Sequence, residues 1–139
     1  MANQIILKGG AGRYEEYAAA GAIIPGDCIE MEADGDVVVG LLATGAIIVA
    51  LEDALQGSTI DTAYAALDQV FSYYPLPGDI INARAAASQT IAVGAKCGYG
   101  AAGTIVSAGV GLVAETAVTS STLGDRIQVR VTGGTPAAS

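Results

Sequence analysis

The chain contains no histidine, which removes Ser-His and Cys-His nucleophile pairs together with the commonest general base and metal ligand. Its two cysteines, Cys28 and Cys97, cannot complete a tetrahedral zinc site without histidine partners, and each reads as a small buried hydrophobe. Gly98, Gly100 and Gly103 fit the G-x-G-x-x-G spacing of dinucleotide-binding loops. That fingerprint works only where a helix N-terminus follows to hold the pyrophosphate, and the β-branched run Thr104-Ile105-Val106 argues for a strand instead. Asp34-Gly35-Asp36 opens like a calcium loop but lacks the later ligands, so it reads as a turn. Glu15-Glu16 and Glu52-Asp53 are adjacent acids of a kind a hydrolase uses. In a chain this acidic they read as solvated surface. No catalytic residue, cofactor or metal is therefore expected.

The elements that carry these residues are β in character. At 139 residues the chain has one domain's worth of length, and 19 glycines accompany an apolar fraction of 52% in which aromatics supply only 5%. Small residues favour thin, closely approaching layers. A formal charge of −8 and a pI near 4.1 exclude a basic stripe of the kind that displaces counterions from nucleic acid. The cations Lys8, Arg13, Arg84, Lys96, Arg126 and Arg130 stand singly. The uncharged run 97–114 is long enough to span a membrane but is broken by five glycines, so no membrane span is expected, and no secretory signal is read because residues 1–4 lack a basic start.

Residues 1–13, MANQIILKGGAGR, predict an extended, glycine-flexed arm, and residues 14–20 one or two helical turns with Glu15 and Glu16 at the N-terminal end. Residues 26–40 predict a hairpin turning at Asp34-Gly35, with Ile29 and Met31 facing the core and Glu30 and Glu32 facing water. Residues 46–51 predict a strand buried on both faces, and residues 60–67 either a short helix or an irregular excursion. In residues 70–74, Phe71 and Tyr73 share one face and Ser72 and Tyr74 the other. A second hairpin over 94–109 repeats the first: the turn glycine falls nine residues after Gly26 at Gly35 and nine after Gly94 at Gly103, although the cysteines are out of step by one. The Gly-Asp opening recurs in Pro77-Gly78-Asp79. Duplication of a larger unit is left open by these matches. Residues 125–132 alternate most cleanly, with Ile127, Val129 and Val131 inward and Arg126, Gln128 and Arg130 outward.

The order of these features resembles the small decoration, or cement, proteins of tailed-bacteriophage capsids. The resemblance rests on ILKG near the start, EE followed by small residues, AIIPGDCIEM, ALEDALQGSTIDTAYAALDQV, a strand with PGD, and the closing DRIQVRV. Leu67-Asp68, where Gly-Asp is expected, and the alanine-rich 85–87 depart from it. What it implies is a mainly β, small single-domain barrel or sandwich with an extended N-terminal arm and at most one or two short helices. The expected organisation is an arm and helical turn over 1–22, a β domain over 23–132 and a tail over 133–139. The implied role is non-enzymatic: binding the outer surface of the phage head, bridging major capsid protein subunits and stabilising the shell, as homotrimers at threefold and local threefold positions. The residues expected to bind the capsid are Ile5, Ile6, Leu7, Lys8, Arg13 and Tyr14. The alternative is a carbohydrate- or host-surface-binding module of the virion, for which Tyr73, Tyr74 and Tyr99 form the aromatic set.

Overall fold

Three tight turns with one hydrogen-bond pattern fix the register of the strands. At Gly26 (φ +96°) the N–H donates to the Ala50 carbonyl at 2.7 Å, and the Ala50 N–H returns to the Asp27 carbonyl at 3.1 Å. Gly78 (φ +96°) repeats this with Val131, and Gly94 (φ +82°) with Ala114. A left-handed φ carries no Cβ penalty at glycine, which is why these sites read Gly in the sequence.

The computed structural model describes residues 6–8, 12–40, 47–53, 59–100, 102–107, 109, 111–120 and 125–132, and within them the protein is mainly β with no helix. The strands in chain order are β1 (Leu7–Lys8), β2 (Arg13–Ala18), β3 (Cys28–Met31), β4 (Val37–Val39), β5 (Ile48–Ala50), β6 (Gln69–Tyr74), β7 (Ile80–Arg84), β8 (Thr90–Ile91), β9 (Lys96–Tyr99), β10 (Ile105–Val106), β11 (Leu112–Ala114), β12 (Val118–Thr119) and β13 (Arg126–Val131). One sheet runs β2-β6-β5-β3-β4, another β1-β7-β13-β11-β9-β10, and β8 pairs with β12.

Set side by side, the two large sheets are the same unit built twice. Remove β1, and β7-β13-β11-β9-β10 has the order and connectivity of β2-β6-β5-β3-β4. The bonds between elements also repeat. Ala19 N–H donates to Asp68 O at 2.8 Å, as Ala85 does to Asp125 O at 2.7 Å. Leu51 N–H donates to Phe71 O at 2.7 Å, as Glu115 does to Gln128 O at 2.8 Å. The bridge Ile23↔Tyr64 occupies the place of the β8–β12 pair. Each sheet curls until its ends touch at one parallel bridge, Ala19↔Val37 in the first unit and Ala85↔Ile105 in the second, so neither barrel is closed by a ladder.

The interiors match as well. The smaller core cluster holds Ala19, Ile23, Ile29, Val37, Ile48, Ala50, Tyr64 and Val70. The larger contains their equivalents Ala85, Ile91, Cys97, Ile105, Leu112, Ala114 and Ile127, with Val118 packed against it. It also contains Cys28, Val49, Leu51 and Tyr73, residues from the first unit's outward face, so the apolar layer continues between the units. Both cysteines are free and buried.

A polar clamp crosses the same boundary. Arg84 donates to both oxygens of the buried Asp27 carboxylate, at 3.0 and 3.2 Å. Arg126 donates to Pro25 O at 2.8 Å, Ile60 O at 2.6 Å, Asn82 O at 3.3 Å and Asp61 Oδ1 at 3.2 Å. Its Nε is the only buried side-chain polar atom without a partner among the described residues. A Cβ at Gly26 would stand 2.7 Å from both Arg126 Nη1 and Asn82 O, so close approach as well as φ requires glycine there.

Several expectations are corrected. Residues 14–20 are not helical: six residues of β2 pair in register with β6, and that ladder outweighs a weak local preference. Leu7–Lys8 and Arg13–Ala18, which fall in the segments read as arm and helical turn, are strands of the two large sheets. Met31 is exposed, because its position at the hairpin end lies beyond the strands that cover Ile29. Arg126 points into the clamp instead of outward, whereas Arg130 is exposed and pairs with Glu115 at 3.2 Å. Residues 60–67 are irregular, tied down by Tyr64, whose O–H donates to Leu51 O at 2.6 Å.

The departure at Leu67-Asp68 has a structural counterpart. Leu67 has φ +73°, the conformation a glycine would adopt freely, and its side chain is 80% exposed. Leu67→Gly is expected to raise unfolding stability by about 1 kcal/mol, because left-handed strain is relieved and little burial is lost. Denaturant titration measures this, and an unchanged or lower midpoint would contradict it.

Candidate binding surface

The most exposed aromatic chemistry lies along β2. In an antiparallel ladder alternate residues bond to alternate sides. Ala19 N–H bonds toward Asp68 on the β6 side, and Ala20 N–H bonds away to Val37 O at 2.8 Å. By the same alternation, the backbone groups of Arg13, Glu15 and Tyr17 face β6, and those of Tyr14, Glu16 and Ala18 face outward.

Side chains at the N-terminal end of β2 are held by a tyrosine network. The Arg13 guanidinium lies 4.2 Å from the Tyr74 ring centroid and 3.4 Å from a Glu15 carboxylate oxygen. The Tyr14 ring, 59% exposed, sits 4.9 Å from the buried Tyr73 ring at a tilt of 53°. Tyr73 donates its O–H to Asp79 Oδ2 at 2.5 Å and accepts from Gly12 N–H at 2.7 Å. Tyr17 and Tyr74 share a hydrogen bond of 2.6 Å between their hydroxyls. A shallow open cleft of about 550 Å³, lined by Gly12, Arg13, Tyr74, Pro75 and the exposed Leu76, runs beside them. These contacts preset Arg13 and Tyr14, so little ordering remains to be done on binding.

The structure divides the residues read as capsid-binding. Arg13 and Tyr14 are on this surface. Ile6 is fully buried, its N–H donating to the Glu52 carboxylate at 3.3 and 3.4 Å. Leu7 is half-buried opposite Ile81, and Lys8 stands opposite Ile80. Ile5 lies outside the described residues. Of the tyrosines read as a glycan platform, Tyr73 and Tyr99 are buried, and the Tyr99 O–H donates to Gly26 O at 2.9 Å. Leu76 went unread in the sequence, where its position between two prolines was the one available signal.

The other chemical motifs resolve into structure. The G-x-G-x-x-G segment is a hairpin turn from β9 into β10, with Gly103 N–H donating to Gly100 O at 3.0 Å. Asp34 caps its own turn by accepting from Asp36 N–H at 3.0 Å. Among the described residues no three His, Cys, Asp or Glu side chains converge as a metal site requires. The chain matches no family model, and a search of curated proteins finds no match to it either.

Burial holds many acidic protons in place. It pushes the Tyr73 and Tyr64 phenols up to about 12, the Cys28 thiol to about 12 and the Cys97 thiol to about 11. The Tyr17 phenol reaches about 12 chiefly through its bond with Tyr74, and burial raises Tyr99 well above the usual phenol value. In the unfolded chain thiols and phenols ionise near 9 and 10, so between those values and the raised ones the folded state holds more protons. Stability is therefore expected to be full below the thiol value and to decline as pH rises through roughly 9 to 12. Urea unfolding from about pH 8 to about pH 11 measures it, and a constant midpoint would contradict the account.

Proposed function

We propose that this chain is a structural, non-enzymatic decoration protein of a tailed-phage capsid, docking on the outer surface of the head and bridging major capsid protein subunits as a homotrimer. The observation that carries a docking role is the preset N-terminal end of β2, an edge strand that presents the exposed Tyr14 on one face and Arg13, beside the exposed Leu76, on the other. Anchors of this composition dominate protein interfaces. The identity of the partner and the threefold positions rest on the sequence resemblance. A thin β scaffold whose acids serve turns and surface suits a protein that lays strands and small side chains against a shell, where many copies act together. The glycan-binding alternative loses support because two of its three tyrosines are buried.

Deleting residues 1–13 would remove β1 and the buried Ile6, so loss of attachment in that variant would not separate docking from folding. Point variants do. Purified protein mixed with undecorated heads is expected to coat them in threefold clusters visible by cryo-electron microscopy. Tyr14→Ala is expected to weaken attachment by about 2 kcal/mol while leaving the thermal midpoint near wild type. Full coating by Tyr14→Ala, or failure of the wild-type protein to bind heads, would overturn the proposal.

A further inference from the structure

The duplication makes the two copies of each strand edge comparable, and one pair differs. In the second unit the outward edge of β7 is occupied: Asn82 N–H donates to Ile6 O at 2.6 Å, and β1 runs antiparallel with Leu7 opposite Ile81. Matching Ala85 to Ala19 places Asn82 at Glu16, Ile81 at Glu15 and Ile80 at Tyr14. β4 meets the far end of that edge of β2 at the single bridge Ala19↔Val37; over Tyr14–Glu16 no strand lies on it among the described residues, and the side chains of Tyr14, Glu15 and Glu16 are exposed.

We infer that the outward edge of β2 over Tyr14–Glu16, on which no strand lies among the described residues, is a strand-acceptor site that takes an extended basic segment of a partner protein in the way β7 takes β1. This deepens the docking reading, on which it rests for the location alone, by naming the form and charge of what docks. Main-chain bonds to the Tyr14 and Glu16 positions, the equivalents of Ile80 and Asn82, would supply the affinity, and side chains the selection. Opposite Tyr14 an apolar residue fits; opposite or diagonal to Glu15 and Glu16 a Lys or Arg fits. Charge also decides against a second copy of β2. An antiparallel pair of β2 edges opposes outward-facing residues to one another, so its two central registers set either Glu16 against Glu16 or Glu15 against Glu15, in a chain of net charge −8.

The probe is a short capped peptide of valine and lysine with lysines on both strand faces, titrated into the full-length protein with amide exchange followed residue by residue. The Tyr14 and Glu16 amides are expected to gain protection, with no gain from the peptide in which glutamate replaces lysine. Glu16→Pro removes an outward N–H that an edge strand does not need, so folding is expected to persist while peptide binding falls about tenfold or more. Should that variant misfold, Glu16→Lys is expected to weaken binding of the lysine peptide without altering the fold. Equal binding of the two peptides, unchanged exchange at these amides, or a dimer in sedimentation that Glu16→Pro abolishes would each overturn the inference. On phage heads, attachment lost in Tyr14→Ala but kept in Glu16→Pro would overturn strand addition and leave docking standing; attachment kept in both would overturn docking as well.

Discussion

The joint between the two units depends on Arg126. Its guanidinium gathers the carbonyls of Pro25, Ile60 and Asn82, which belong to a turn, an irregular segment and a strand far apart in sequence. Arg84 holds the Asp27 carboxylate from the same side. Burial pushes the Asp27 carboxyl above its usual range even with that guanidinium beside it, so the pair is a device for placing the turn more than a source of net stability. Removing one partner alone would strand a buried charge, at a cost of about 3–5 kcal/mol for a well-buried pair. Gly26 is the complementary requirement, since no side chain fits between the turn and the arginine.

Around this joint the two copies have diverged according to what each must cover. Most interior positions stay apolar, as Ala19 with Ala85 and Val37 with Ile105 show, although Tyr64 is matched by the smaller Val118. Outward positions differ in burial. Cys28 and Val49 are buried between the units, while their equivalents Lys96 and Val113 face the surface of the second unit. Ala18 and Gln69 stand where the second unit has Arg84 and Arg126, so the clamp exists once, and the joint is not repeated at the other end of the molecule. Gly103 shows the same asymmetry: a Cβ there would meet Cys28 O and Val39 at 2.6 Å, whereas its equivalent Gly35 has open space around it.

Much of this was legible in the residues. The Gly-Asp turns, the alternation of Ile127, Val129 and Val131, and the doubly buried run at Ile48–Ala50 follow from local rules that tertiary structure did not need to override. The strand at Arg13–Ala18 was hidden because two adjacent glutamates before small residues imitate a helix start, and the β6 ladder that decides the matter lies some fifty residues away. The clamp was hidden because an outward arginine in an alternating strand looks solvated until the first unit is known to pack there. The duplication was half visible: the hairpins align on Gly35 and Gly103, but the cysteines mislead, since Cys97 corresponds to Ile29. The exposure of Arg13 and Tyr14 follows from their types on an edge strand, whereas the burial of Ile6 depends on β1 joining the second sheet, which local sequence does not show.

The central claim is that two equivalent edges carry different loads, one closed by β1 and one on which, over Tyr14–Glu16, no strand lies among the described residues. Native-state amide exchange on the free protein compares them directly. Asn82, bonded to Ile6 O, is predicted to exchange only through opening of its sheet, and Glu16, at the equivalent position of β2, to exchange near the rate of an unprotected amide. Protection of Glu16 equal to that of Asn82 would mean that the edge is already covered, and would contradict the account.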